Sequence, residues 1–212
     1  MNALHVDQVS IVTTERKLFE PVSFSVEPGA IISVVGASGS GKSSLLAYAC
    51  GFLDPSLDAT GEVRVGDDTV THLPPQQRRL GLLFQESLLF PHLSVAGNLA
   101  FGLAPGGSRA ERSRQVSAAL SSVDLEGFDD RDPASLSGGQ KARVALLRVL
   151  LSEPRALLLD EPFGALDDTT RERVRTLVFA EARQRGLPTL LVTHDEQDVA
   201  AAGGPRVELG EA

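Results

Sequence analysis

The 212 residues predict an α/β protein built on a mostly parallel sheet, and three observations carry that expectation. Short apolar runs at Ile31 to Val35, Leu80 to Phe84, Leu157 to Leu159 and Thr189 to Val192 alternate with helical patterns, the order that covers both faces of a parallel sheet with helices. The start of the chain instead alternates apolar with polar residues, at Leu4, Val6, Val9 and Ile11 and again at Val22, Phe24 and Val26, as half-buried antiparallel strands do. A middle stretch punctuated by Pro91, Pro105, Gly106 and Gly107 turns helical in pattern and predicts an inserted helical subdomain.

Taken in order, Ile31 to Val35 runs into glycine-rich Gly36 to Gly41 and then into a helix over Ser43 to Cys50, which Gly51 is placed to end. Val63 and Val65 alternate before the turn signal Gly66-Asp67, and Thr69-Val70 returns as the second strand of a hairpin. Ser108 with Glu111 forms a capping box that opens a helix through Val116, Leu120 and Val123. A second amphipathic helix starts at Gly139, carries Ala142, Ala145, Leu146, Val149 and Leu150, and stops before Pro154. Thr169 and Glu172 are expected to cap a long helix ended by Gly186, with Val174, Leu177 and Val178 on one face, and Arg206 to Leu209 reads as a last strand. The expected organisation is a single domain: residues 1–85 and 156–212 form the core with its antiparallel β-subdomain, and 86–155 form the helical subdomain.

Composition narrows the function classes. No apolar run approaches the roughly eighteen residues that span a bilayer, and Met1 to Lys17 lacks the basic-then-apolar pattern of a signal peptide, so a cytoplasmic protein is expected. A single cysteine, Cys50, leaves no internal disulfide framework and reads as a small buried hydrophobe. A net charge of -8 and the lack of a local basic patch argue against nucleic acid as a partner.

The chemistry begins at Gly36-Ala37-Ser38-Gly39-Ser40-Gly41-Lys42-Ser43, with Ser44 following, which satisfies the P-loop pattern between a strand and a helix. Glycines there let backbone amides wrap phosphate oxygens, Lys42 is suited to the terminal phosphates, and the Ser43 hydroxyl to Mg²⁺. Leu157 to Leu159 ends in Asp160 and Glu161, two carboxylates at the carboxyl end of a buried strand, where α/β sheets bind their ligands. Asp160 is expected to hold Mg²⁺ through water, and Glu161 to orient and deprotonate the water that attacks the γ-phosphate. Ser137, Gly138, Gly139 and Gln140 follow Leu136 at the mouth of a helix and form an anion-facing terminus.

With Leu136 to Gln140 in place, the chain resembles the ATPase subunits of ABC transporters along essentially its whole length. The resemblance implies ATP and Mg²⁺ as ligands and a head-to-tail homodimer with two composite sites, in which Ser137, Gly138, Gly139 and Gln140 meet the nucleotide of the opposing subunit. It further implies that Gln85 senses Mg²⁺ and the transmembrane partner, that Ala165, Leu166 and Asp167 cross the dimer interface, and that His194 contacts the γ-phosphate. Gln85 to His92 resembles the matching stretch of short importer subunits for thiamine-like, molybdate-like or ferric-ion substrates. Leu88, Leu89 and Phe90 there read either as a groove for a helix of the membrane subunit or as subdomain core. The implied assembly adds polytopic permease subunits and, indirectly, a substrate-binding protein, on the cytoplasmic face of the inner membrane.

Two features depart from the family pattern. The region around Thr13 and Thr14 has no aromatic residue on which adenine would stack, which predicts weaker affinity or a relaxed preference for ATP over GTP. The chain also ends soon after His194, where some importer subunits carry a regulatory domain. The alternatives from other classes are a soluble ABC ATPase acting on DNA or ribosomes, which would carry long coiled coil or two ATPase units, and, within transport, an exporter.

Overall fold

A computed structural model describes residues 3–210. In its first compact unit, Met1–Leu82 with Arg155–Glu161 and Phe179–Ala212, two sheets form. β1 (Leu4–Val12), β2 (Val22–Val26), β4 (Asp58–Val65) and β5 (Asp68–Thr69) make an antiparallel sheet in the order β2-β1-β4-β5. The apolar positions of β1 change phase, even at Leu4 and Val6 but odd at Val9 and Ile11, yet all four belong to one buried core. A bulge reconciles them: the register shifts between Val6 and Val9, where Gln8 takes a left-handed φ of 49°. Gly61 on β4 faces this bulge, and a Cβ there would collide with the Gln8 carbonyl.

The other sheet has the order β6-β7-β8-β3-β9, made of β3 (Ile31–Val35), β6 (Leu80–Leu83), β7 (Ala156–Asp160), β8 (Thr189–Val192) and β9 (Arg206–Glu208). β3 pairs parallel with β8 and β9, and β7 pairs parallel with β8. Ile32, Val34, Leu158, Leu190 and Val192 share one core with Leu45 and Leu46 of α1 (Lys42–Cys50), so the central strands bury their side chains against the helix that follows the glycine loop. α1 ends at Gly51 in a left-handed cap. Its last carbonyls are also held from outside: the buried Arg78 guanidinium donates to the carbonyls of Tyr48 (2.7 Å), Ala49 (2.8 Å) and Leu73 (2.7 Å) and to that of Thr71. Arg78 closes α2 (Pro75–Arg78), and α7 (Glu196–Ala202) completes the unit's short helices.

The second unit comprises Leu83–Pro154 and Pro162–Val178. α3 (Val95–Gly102), α4 (Arg109–Ser121) and α5 (Gly138–Leu150) bury Leu99, Leu120, Val144 and Leu147 in a core of their own. Both expected capping features are present: Ser108 and Glu111 exchange bonds at the start of α4, and Ser137 and Gln140 do the same at the start of α5. α6 (Asp168–Gln184) lies in this unit over residues 168–178 and in the first thereafter.

Several expectations are corrected. Thr169 and Glu172 do not cap α6; the helix has begun by then, and the Asp167 carboxylate accepts from the Thr170 amide at 3.1 Å, because an aspartate just ahead of a helix can bond its first-turn amides. Val123 is buried but lies beyond the end of α4. Val70 lies beyond β5, although its amide still bonds the Val63 carbonyl at 2.9 Å. Phe84 lies outside β6 and is exposed. Among the described residues, no helix is long and apolar enough to cross a membrane.

Candidate functional site

β3 delivers the chain to Gly36, whose φ of 156° and lack of a side chain let it pass within 2.7 Å, measured from an added Cβ, of the Leu209 carbonyl and the Ser40 hydroxyl. The loop then winds through Gly39 and Gly41, both left-handed, into α1. Gly41 caps α1 without any side-chain hydrogen bond, so the first-turn amides, which no helix can satisfy internally, meet no side-chain acceptor. That is the geometry in which helix ends receive anions. Lys42 folds back over the loop and donates to the carbonyls of Gly36 (2.9 Å) and Ala37 (2.8 Å). Ser40 is buried and its hydroxyl has no partner.

β7 brings the acidic pair to the same place. The Ser43 hydroxyl donates to Asp160 Oδ1 at 3.0 Å. Burial pushes the Asp160 carboxyl above its ordinary range, the Ser43 bond opposes that, neighbouring Glu161 adds to it, and Lys42 opposes it. Glu161 follows with a left-handed φ of 45°, its amide held by the Val192 carbonyl at 2.9 Å. This turn aims the carboxylate at His194, two residues past β8, whose Nδ1 lies 3.1 Å from Glu161 Oε1. Gly36, Ser38, Gly39, Gly41, Lys42, Ser43, Ser44, Glu161 and His194 border one cleft of about 690 Å³, and Thr13, Leu18 and Leu57 border it as well. Leu18 and Leu57 carry no motif, and only their place beside the loop reveals them.

The remaining candidates lie in the second unit. Gln85 stands two residues past β6, in a loop rather than at a strand end, and borders a hollow of about 560 Å³ with Gly138, Lys141, Ala165 and Leu166. Ser137 Nα donates to Gln140 Oε1 at 2.9 Å, and the Ser137 hydroxyl accepts from the Gln140 amide at 3.4 Å, so the signature serine is engaged in its own cap. The Thr170 hydroxyl and amide hold the Asp167 carboxyl below its usual range. Leu88 is exposed with a left-handed φ of 42°, Leu89 packs on the second core, and Phe90 meets Phe101 edge to face at 4.7 Å.

Sequence reasoning missed the support of this segment. Asn98, fully buried on α3, accepts from the Phe90 amide at 2.8 Å and donates to the Phe90 carbonyl at 3.1 Å. Arg148 on α5 donates to the carbonyls of Leu88 (2.9 Å) and Ser87 (3.3 Å).

A glycine loop between a strand and a helix, with a lysine across it and a serine–carboxylate pair at its mouth, is the phosphate-binding arrangement of P-loop nucleotide-binding proteins. A family profile described as ABC transporter matches residues 19–164. The chain is 45% identical over 198 residues to the uncharacterized ABC transporter ATP-binding protein YnjD of Escherichia coli K12, spanning 93% of this chain and 91% of that protein. It is 43% identical over 190 residues to the thiamine import ATP-binding protein ThiQ of Vibrio parahaemolyticus, spanning 89% and 80%. The dimeric post-hydrolysis structure of the ATP-binding cassette MJ0796 bound to ADP and Pi superposes with a TM-score of 0.79 at 29% identity, covering 97% of this chain and 94% of that one. The chain belongs to the ABC transporter family, as the ATP-binding and ATP-hydrolysing subunit that energises transport through separate membrane components.

Proposed function

We propose that this ATPase drives import of a small solute or ion, working as a homodimer at the cytoplasmic face of the inner membrane against polytopic permease subunits, with a substrate-binding protein as indirect partner. The observation that carries the catalytic reading is the convergence of Lys42, Ser43, Asp160, Glu161 and His194 on one cleft. Likeness to a thiamine import ATP-binding protein supports import over export.

The residues present fit Mg²⁺. Ser43 and Asp160 offer hard oxygen donors 3.0 Å apart, and no cluster of three or more acidic, histidine or cysteine side chains is built around them among the described residues. Mg²⁺ is held in this way, through one or two protein oxygens with substrate phosphates and water supplying the rest. Ser43 and Asp160 are its proposed holders. When bound, the ion neutralises charge on the β- and γ-phosphates. Lys42 exchanges its two loop carbonyls for the terminal phosphates. Glu161 orients the attacking water and takes its proton, and His194, whose Nδ1 lies 3.1 Å from the Glu161 carboxylate, turns toward the γ-phosphate. Ser137, Gly138, Gly139 and Gln140 of a second copy close the site, with Ala165, Leu166 and Asp167 at the interface. Leu88, Leu89 and Phe90 form the surface that receives the membrane subunit.

Glu161→Gln keeps the size of the side chain and one acceptor oxygen but cannot take up the proton. Turnover should fall by about 10²–10⁴-fold, the usual general-base contribution, while ATP binding persists. Light scattering of this variant should show a dimer that forms only with ATP and Mg²⁺. Undiminished turnover in Glu161→Gln would rule the assignment out.

A further inference from the structure

We infer that Thr193 and Asp198 are positioning residues for ATP hydrolysis: the buried Asp198 carboxylate holds the Thr193 hydroxyl, and that hydroxyl braces the turn from which His194 enters the cleft. The inference rests on the role proposed for His194 at the γ-phosphate and adds what sets the direction of its ring.

The starting point is a buried acid that the site does not use. α7 has seven residues, of which Asp198 and Ala202 are buried, and Asp198 does not border the cleft. Taking a carboxylate out of water is costly unless groups inside the protein hold it. An acid in the first turn of a helix is ordinary, and Glu196 fills that place from the solvent side, paired with Arg206 at 2.9 Å. Asp198 turns inward instead: it is 3% exposed, and its Oδ2 accepts from the Thr193 hydroxyl at 3.2 Å.

Thr193 is buried directly before His194. Its hydroxyl proton goes to Asp198 while its oxygen accepts from the Asp195 amide at 3.1 Å, so one side chain ties the residue before His194 to the residue after it, and both to α7. The surrounding backbone is pinned as well. The Thr193 amide bonds the Val34 carbonyl of β3 at 3.4 Å, and the Asp195 carboxylate accepts from the Gln197 amide at 2.8 Å. The far end of α7 is held by Arg183, which donates to the Ala202 carbonyl at 2.7 Å, and by Gly204, where a Cβ would collide with the Ile31 carbonyl. His194 has no such support of its own. Its side chain is 71% exposed, and the polar partner of its ring is Glu161 Oε1 at 3.1 Å. Packing does not aim a ring so exposed; the backbone that carries its Cβ does. Misplacement by about 1 Å at a reacting centre costs on the order of a hundredfold in rate, so the brace across residues 193–195 bears on turnover.

The test compares Thr193→Val, which keeps the shape but removes the hydroxyl, and Asp198→Ala with Thr193→Ser and Asp198→Asn, which keep the donor and an acceptor. Thr193→Val and Asp198→Ala should lower kcat by roughly ten- to a hundredfold and leave the KM for ATP within about twofold, and the conservative pair should retain most of the turnover. In a His194→Ala background Thr193→Val should cause no further loss, because its effect passes through the ring. The chain has four histidines, so the NMR ring signal that disappears in His194→Ala identifies His194. That signal should shift in Thr193→Val and in Asp198→Ala while those of His5, His72 and His92 stay in place. A thermal melt checks that each variant is folded. A folded Thr193→Val or Asp198→Ala with parental kcat, with the His194 signal unmoved, or with an equal loss in the His194→Ala background overturns the inference. Parental turnover in His194→Ala itself would instead overturn the role of His194 on which the inference depends.

Discussion

Asp160 lies in a neighbourhood where its charge is costly. Burial raises its carboxyl above the ordinary value, and the Ser43 hydroxyl and the Lys42 ammonium offset only part of that. A carboxyl whose folded value lies above its unfolded one stabilises the fold in its protonated form; that contribution is complete below the unfolded value and is lost as pH rises through the folded one. At neutral pH the ionised Asp160 therefore weakens the nucleotide-free protein. Asp160→Asn, which can still accept from Ser43, should melt at a higher temperature than the parent at pH 7, with the difference shrinking as the pH approaches about 4. Calorimetry at both pH values checks this, and a variant that melts lower at pH 7 would contradict it. Glu161 next door carries its cost in the backbone instead: its left-handed φ of 45° is unfavourable for any residue with a side chain. The adjacent carboxylates were visible in the sequence, but the turn that separates their directions was not, since nothing in Asp-Glu-Pro specifies it.

At the scale of elements, α3 shows what local signals leave out. Ser94 caps it through the Gly97 amide, yet it has only eight residues and contains Gly97 and Gly102, which lower helix propensity. The helix is held by its surroundings: Leu99 and Asn98 are fully buried, and Gly102 lies so close to α5 that a Cβ there would collide with the Arg148 carbonyl. Gly102→Ala must push α3 away from α5 or distort the Arg148 turn, and overpacking of that kind costs about 1–3 kcal/mol. A urea midpoint unchanged in this variant would show that the contact is softer than it looks. The same pair of helices anchors Ser87 to Phe90 through Asn98 and Arg148, so the variant should also disturb the segment proposed to face the membrane subunit. Legibility follows from this contrast. The α4 and α5 starts were readable because each capping box is local, and β3, β7 and β8 because burial on both faces leaves continuous apolar runs. The β1 bulge, α2, α3 and α7 were not, because pairing across strands and packing between helices decide them. Thr13 shows the same limit within the site: the missing aromatic was visible, but the consumption of its hydroxyl by the Thr13 to Arg16 turn was not.

At the scale of the whole molecule, the phosphate loop belongs to the first unit and the Ser137 to Gln140 terminus to the second. The composite-site proposal pairs each loop with the terminus of another copy, and this can be separated from a site completed within one chain. Lys42→Ala disables the loop, and Ser137→Arg blocks the terminus by placing a long cation where the proposal requires a hydroxyl. Each variant alone should neither form an ATP-dependent dimer nor turn over. In a mixed dimer with composite sites, the two lesions fall on one site, and the other combines an intact loop with an intact terminus. Because neither variant pairs with itself, the dimers that form are mixed, each with one working site of its two, so an equimolar mixture should recover up to about half of parental turnover. A site completed within one chain predicts no recovery, because each chain then carries its own lesion into its own site. Turnover of the mixture, compared with the sum of the separate variants at equal protein concentration, decides between these arrangements. A mixture no more active than that sum would refute the head-to-tail pair and return Ser137 to the role already visible in the isolated chain, the cap of α5.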